Sequence, residues 1–282
     1  MTDVRKLFQV VEPQPVLEGA GVRLRRIFPS RALDFPDPFL LLDHFGSDNP
    51  ADYLAGFPMH PHRGIETVTY MLAGEVAHRD SIGNAGVIHG GDVQWMTAGR
   101  GILHEEMPRP VEGKMAGFQL WVNLPAQLKM TRPRYQEIPA STLPEITRAD
   151  GTRIRVIAGE SDGIRGPVTE IVADPVYLDV TLPAGSTFRR TVEREHAVLA
   201  YVFEGQVRFG LEEQAVAGAR LIVFADGDAV TAYAGDRGVR FLFLSGRPTH
   251  EPIVRYGPFV MNTWDEIEQT LRDLRDGTFV SK

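Results

Sequence analysis

The sequence predicts an all-β protein: two antiparallel β-barrels in tandem, followed by a short C-terminal helix. Three observations carry this expectation. Short runs rich in β-branched and aromatic residues recur along the chain, as half-buried strands require. Clusters of glycine, asparagine and aspartate such as Gly83-Asn84-Ala85-Gly86 separate them and supply the backbone conformations of tight turns. The two halves also repeat one another. Tyr70-x-x-x-Gly74-x-Val76 recurs as Tyr201-x-x-x-Gly205-x-Val207, and Gly91-Asp92 with Gly99 recurs as Gly227-Asp228 with Gly235. Many closely spaced strands imply a sandwich or barrel, and matching glycine turns imply that one such unit is duplicated.

In chain order, strands are expected at 66–72, 76–80, 93–96, 102–107 and 117–124 in the first half. In the second they are expected at 153–158, 176–182, 197–204, 206–211, 220–224 and 239–245. Between the halves, Pro133, Pro139 and Pro144 disfavour helix and suit an extended connection. The boundary is therefore placed near residue 140, giving barrels at 1–140 and 141–282. Only the C-terminal end has a helical signature. Thr263-x-x-Glu266 is a capping box, followed by Ile267, Leu271 and Leu274 on one expected face.

Composition narrows the functional classes. With 282 residues, 43% hydrophobic and 24% charged, the chain has the make-up of a soluble globular protein. No apolar run approaches the roughly 20 residues that span a bilayer. Asp3, Arg5 and Lys6 precede only a short apolar stretch, so no signal peptide is expected. Zero cysteines exclude disulfides and thiolate metal sites, and a cytoplasmic location is expected. A formal net charge of −7 argues against a broad nucleic-acid-binding surface.

The chemistry concentrates in His60-Pro61-His62 and His104-Glu105-Glu106. Strand residues two apart share a face, so each motif presents a pair of ligand-type side chains to one side of a sheet. Glu105 has the opposite parity and should point away. Three neutral imidazoles and one carboxylate suit a single first-row divalent ion, and four protein ligands leave two positions for substrate and dioxygen. His44, His78, His89, His196 and His250 show no such pairing, and ordinary hydrogen-bonded or surface roles are expected for them. Superposing the repeats by their glycines puts Thr191, Glu193, Arg240 and Leu242 where the first copy has His60, His62, His104 and Glu106. The second barrel is thus expected to be a scaffold without metal.

Longer stretches extend the pattern. Gly56 to Tyr70 surrounds the first histidine pair, and Gly91 to His104 leads to the second. The segment Gly117-Phe-Gln-Leu-Trp-Val-Asn-Leu-Pro125 and the tail from Glu251 to Thr263 add to them. Together these resemble the pirin family of bicupins over most of the chain. The resemblance implies one iron, most suitably iron(II), in the N-terminal barrel, with ligands falling on His60, His62, His104 and Glu106. Glu66 stands where many cupins place their carboxylate ligand. The pirin pattern does not use it as one, which makes it a supporting or structural residue.

Bacterial pirins resemble quercetin 2,3-dioxygenases, which open flavonols with release of carbon monoxide. The leading expectation is therefore a flavonol dioxygenase taking a planar aromatic substrate and dioxygen, with Glu106 as both ligand and base. Phe45, Phe57 and Met59 are candidates for a dry wall, and Gln119 for a hydrogen bond near the metal. The alternative is a non-catalytic, iron-dependent regulatory protein of the transcriptional co-regulator type. Its protein partner is left open, and Arg63 beside the ligand strand would sense the ion. A sugar-phosphate isomerase would want a basic cluster, whereas Arg63 and Arg100 are the main cations near the motifs.

Overall fold

The computed structural model describes residues 3–109, 114–210 and 215–280. It is built from antiparallel strands, with one α-helix among the described residues, Trp264–Arg275. No described helix is long and apolar enough to cross a membrane. The chain forms two compact units, one of residues 14–140 with 249–282, the other of residues 1–13 with 141–248.

The unit carrying the histidine motifs has two large sheets and a two-stranded one, Val254–Tyr256 with Phe259–Met261. A seven-stranded sheet runs in the order Arg134–Ile138, Val93–Thr97, Ile65–Ala73, Met115–Asn123, Phe39–Ser47, Val22–Phe28, Gln14–Glu18. A four-stranded sheet runs Phe57–His62, Ile102–Arg109, Glu75–Asp80, Ala85–His89. Of the five strands expected here, each lies within or overlaps an observed one. The extended stretch expected from Pro133 contains a strand, Arg134–Ile138, paired with Val93–Thr97.

The other unit has one nine-stranded sheet centred on two long strands, Ala197–Phe209 and Ala229–Gly246. Strands expected separately at 197–204 and 206–211 are one element. Gly205 bends it (φ +75°), where its counterpart Gly74 (φ +84°) ends a strand outright. Leu211 lies outside the described residues. The core here is aromatic and aliphatic, with Phe188, Phe209, Phe241 and Phe243 packed among Val192, Val230 and Ala232.

Strand pairing corrects the counterparts assigned from glycine spacing. Gly91 precedes the strand Val93–Thr97, but Gly227 precedes Ala229–Gly246, one hairpin later in the barrel. Val207 pairs with Ala234 as Val76 pairs with Pro108. Counting back along these strands makes Val230 and Ala232 the counterparts of His104 and Glu106. The pairing of Arg190 with Val230 then matches that of His60 with His104, so Arg190 and Val192 stand for His60 and His62. Arg240, assigned before to the His104 position, is instead bound to Asp179 at 2.6 and 3.0 Å. Short Gly-Asp turns recur at too many hairpins to fix a register by themselves.

The chain ends also differ from the expected division. Residues 1–13 belong with the second barrel, where buried Arg5 donates to the carbonyls of Gly227, His196, Glu193 and Arg194. Residues 249–282 belong with the first barrel, so the helix packs on the unit that carries the histidines. Its capping box is present, with Thr263 accepting from the Glu266 amide and Glu266 from the Thr263 amide. Ile267 packs with Phe259, Met261 and Phe279. Leu271 and Leu274, expected beside it, remain 36% and 37% exposed, and the second buried position is Thr270.

Two contacts lock the tail against the histidine strand. Gly64 has φ +81°, and a Cβ there would lie 2.0 Å from the Val260 carbonyl oxygen. Only glycine fits that approach. Buried Lys129 donates from Nζ to the carbonyls of Gly64 and Val260 and to Asn123 Oδ1 at 2.8–3.0 Å. Burial lowers its pKa from 10.5 to about 8. Between those values the unfolded chain holds more protons than the folded one, so stability from this group rises with pH and is lost as pH falls through 8. Lys129→Met removes that titration and three hydrogen bonds, at a cost of about 1–3 kcal/mol for each acceptor left unmet; the Gly64 carbonyl still accepts from the Leu124 amide at 3.4 Å. Urea midpoints should be lower for Lys129→Met, and the wild type should gain on the variant between pH 7.5 and 9.5. A constant gap across that range would refute the assignment.

Candidate metal centre

The centre begins with one strand pair. Phe57–His62 runs antiparallel to Ile102–Arg109, and His60 lies directly opposite His104. A bulge follows, so that Glu106 pairs with Phe57. The ligand-type nitrogens of His60, His62 and His104 lie within 4.8 Å of one another. Their ring centroids are 4.4 Å apart for His60–His104, 4.9 Å for His60–His62 and 5.0 Å for His62–His104.

These imidazoles are prepared to be ligands. Burial holds the pKa values of His62 and His104 well below 6.5, and the neighbouring histidines push in the same direction. Both rings are neutral at pH 7. Neither ring nitrogen of His104 has a hydrogen-bond partner, nor has Nδ1 of His62. His60 Nδ1 lies 2.9 Å from the Pro58 carbonyl, to which it donates in the tautomer that leaves Nε2 to coordinate. Buried polar atoms left without partners are costly. A divalent ion accepting one lone pair from each ring removes part of that cost, so the residues fit a metal.

Glu106 points to the same side as His104 and lines the same cavity. Its Oε1 and Gln119 Oε1 lie 2.9 and 2.7 Å from the Thr69 hydroxyl. That hydroxyl has one proton to give. When that proton goes to Glu106, the Gln119 amide turns to donate its NH2 to Thr69. Glu105 points away as expected and pairs with Arg79.

The cavity has a volume of about 590 Å3. Its apolar wall includes Leu24, Leu41, Phe45, Phe57, Met115 and Trp121. Phe45 is held flat by Gly117, where a Cβ would come within 2.6 Å of the ring. Opposite in character is a charged wall, where Arg26 takes Asp43 through two bonds of 2.9 and 2.7 Å and Glu18 at 2.7 Å. Burial outweighs Arg26 and pushes the Asp43 carboxyl up to about 6.

Several expected site residues are elsewhere. Met59 is 42% exposed and does not line the cavity, because its parity is opposite to that of His60 and His62; the bulge turns Phe57 inward beside Pro58. Glu66 is fully buried but accepts from Thr97, away from the cavity wall. Arg63 has the parity opposite to His62 and reaches the helix. It donates to Asp273 at 2.7 Å and Thr270 at 3.1 Å, and stacks over Phe279.

Sequence reasoning missed Thr69, Trp121 and Arg255. Gln119-x-Trp121 shares the two-residue spacing of the histidine pairs and was the available signal. His78, for which an ordinary hydrogen-bonded or surface role is expected, lies opposite Glu106 with its ring 5.5 Å from that of His104. His78 is bonded to Gln94 at 2.7 Å and stacked on Tyr135.

The metal assignment predicts that His62→Ala or His104→Ala abolishes stoichiometric binding of a divalent ion. His196→Ala, which removes a ring bonded to Ser245 in the other barrel, should leave one equivalent per chain by elemental analysis. Two tightly held equivalents in the wild type would overturn the single-site reading.

Comparison with known proteins agrees with this architecture. Residues 21–122 match the family model described as Pirin, and residues 177–280 match the Pirin C-terminal cupin domain. A Pseudomonas aeruginosa protein named "Putative quercetin 2,3-dioxygenase" is 45% identical over 98% of this chain and 99% of its own. A pirin-like protein of Caulobacter vibrioides is also 45% identical, over 98% and 99%. The crystal structure of a quercetin 2,3-dioxygenase from Acinetobacter baumannii superposes with a TM-score of 0.89 at 37% identity, covering 99% of both chains. By family match, sequence identity and fold, this chain belongs to the pirin family and is a bicupin.

Proposed function

We propose that this chain is a mononuclear metal-dependent flavonol 2,3-dioxygenase of the quercetinase type. The observation that carries the reading is the cluster of neutral imidazoles with unpartnered nitrogens, opening into a cavity of drug-ligand size with an apolar wall. The names of the Pseudomonas and Acinetobacter relatives support the substrate class. His60, His62, His104 and Glu106 would hold the ion. A bound iron(II) supplies Lewis acidity toward the flavonol 3-oxygen and a redox-active centre for dioxygen.

The chain's own groups do the rest. Glu106, fixed by the Thr69 hydroxyl, receives the 3-hydroxyl proton on a carboxylate oxygen. The wall of Leu41, Phe45, Phe57 and Trp121 takes the planar rings and excludes water. Gln119, bridged to Glu106 through Thr69, keeps that carboxylate oriented. The net reaction takes up dioxygen, opens the flavonol ring and releases carbon monoxide.

One observation favours the regulatory reading as the second choice. Arg63, next in the chain to His62, is bonded to the C-terminal helix, so movement of the ligand strand is transmitted to that surface. Turnover decides between the two. Iron-loaded protein should bleach quercetin in air, evolve carbon monoxide and stop without dioxygen. If fully metallated protein leaves flavonols untouched, the dioxygenase reading fails and the regulatory one leads. Within the enzyme reading, Glu106→Gln should lower the rate by about two to four orders of magnitude. An unchanged rate with metal retained would place the base on another group.

A further inference from the structure

The arginines around this cavity differ in how much hydrogen-bonding capacity they have left. Arg26 uses Nε, Nη1 and Nη2 on Asp43 and Glu18. Arg63 uses its guanidinium on the Arg100 carbonyl, Thr270 and Asp273. Arg255, on the strand Val254–Tyr256, is different. Its Nε donates to the Gly257 carbonyl at 3.1 Å, which fixes the plane of the group. Among the described residues, nothing accepts from its two terminal NH2 groups, and no carboxylate forms an ion pair with it.

The position of Arg255 is as informative as its spare donors. Its Cζ lies 4.9 Å from the centroid of the Trp121 ring. That same indole stands edge-on to His62, with centroids 5.1 Å apart and planes at 85°. Arg255, Trp121 and His62 all line the cavity, so one indole separates the free guanidinium from the histidine cluster. The charged groups that act on Arg255 are Arg26, Asp43, Glu18 and Asp34. Arg26 is already bonded to Asp43 and Glu18. Burial and Arg26 disfavour the charge of Arg255, Asp43, Glu18 and Asp34 favour it, and none of these groups uses its donors. A planar fork of N–H groups beside an aromatic face suits an oxygen acceptor on an aromatic ring.

We infer that Arg255 determines substrate specificity, by gripping phenolic oxygen on the flavonol ring remote from the 3-hydroxyl while Trp121 supports the ring plane. This rests on the flavonol reading above. It narrows the substrate to hydroxylated flavonols over the bare ring system. Arg255 touches no reacting atom, so its effect belongs in binding and not in turnover of the bound substrate.

The test uses metal-loaded, full-length protein kept anaerobic, with affinities for quercetin and for unsubstituted 3-hydroxyflavone read from tryptophan fluorescence quenching. Arg255→Met keeps a stem to cover Trp121 and removes the donors. It should weaken quercetin about 10–100-fold, the worth of a lost charge-assisted pair, and 3-hydroxyflavone less than about threefold. Arg255→Lys keeps the charge without the fork and should restore part of the quercetin affinity. Unchanged metal content and far-UV circular dichroism show that each variant is folded. If the methionine variant fails that control, the lysine variant decides alone, by a loss confined to quercetin. Equal losses for the two flavonols, no loss for either, or no binding to the wild type would overturn the inference.

Aerobic turnover of the same preparations separates the two claims. Arg255-dependent binding without turnover sinks the dioxygenase reading and keeps this one. Turnover with Arg255-independent binding does the reverse.

Discussion

The pairing of Phe57–His62 with Ile102–Arg109 sets the chemistry of this chain, because it decides which nitrogens meet. Alternation along each strand gives His60 and His62 a common direction, and likewise His104 and Glu106, so that both pairs share one face of the sheet. Antiparallel register then brings His60 opposite His104. Burial completes the preparation. It removes the charged forms of His62 and His104 and denies several ring nitrogens any partner in the protein. Such a cluster is unfavourable in isolation and becomes favourable when a cation accepts its lone pairs. The surrounding elements preserve this arrangement: Lys129 and Gly64 bind the end of the histidine strand to the tail, and Arg63 anchors it to the helix.

The two barrels show what that preparation replaces. At the positions of His60, His62, His104 and Glu106 the second barrel has Arg190, Val192, Val230 and Ala232. Val192, Val230 and Ala232 belong to a core filled by Phe188, Phe209, Phe241 and Phe243. An apolar interior of this kind gains stability directly from burial. The first barrel gives up part of that gain for a cavity of about 590 Å3 and a set of buried polar groups. Duplication lets one copy stay well packed while the other carries the costly site.

Sequence patterns revealed the histidines readily, because a spacing of two is read directly by a strand. They revealed the wall poorly, because wall residues come from strands distant in sequence. Phe45 and Phe57 lie beside the motif and were found; Thr69, Trp121 and Arg255 enter through strand pairing and the returning tail. Met59 was misplaced for a more local reason. Alternation puts it on the face opposite His60 and His62, and Phe57 reaches the cavity only through the bulge, which leaves no mark in composition. The division at residue 140 could not show that the chain ends trade places, since Arg5 and Lys129 act through carbonyls that carry no sequence signature.

The choice of Glu106 over Glu66 as the carboxylate facing the cavity follows from the same strand geometry. Glu66 lies on the seven-stranded sheet opposite Thr97, which donates to it at 2.7 Å, and it is fully buried there. Turning it toward the histidines would cost that bond and leave Thr97 without its acceptor. Glu106 follows His104 by two residues, so the ligand strand itself carries it to the cavity. There Thr69 and Gln119 meet it from the neighbouring sheet. The carboxylate that shares a strand with a histidine keeps a fixed relation to it, whereas one on another sheet depends on how the two sheets pack. Strand parity therefore brings Glu106 to the cavity beside the three-histidine cluster, and the Thr97 contact keeps Glu66 within the sheet.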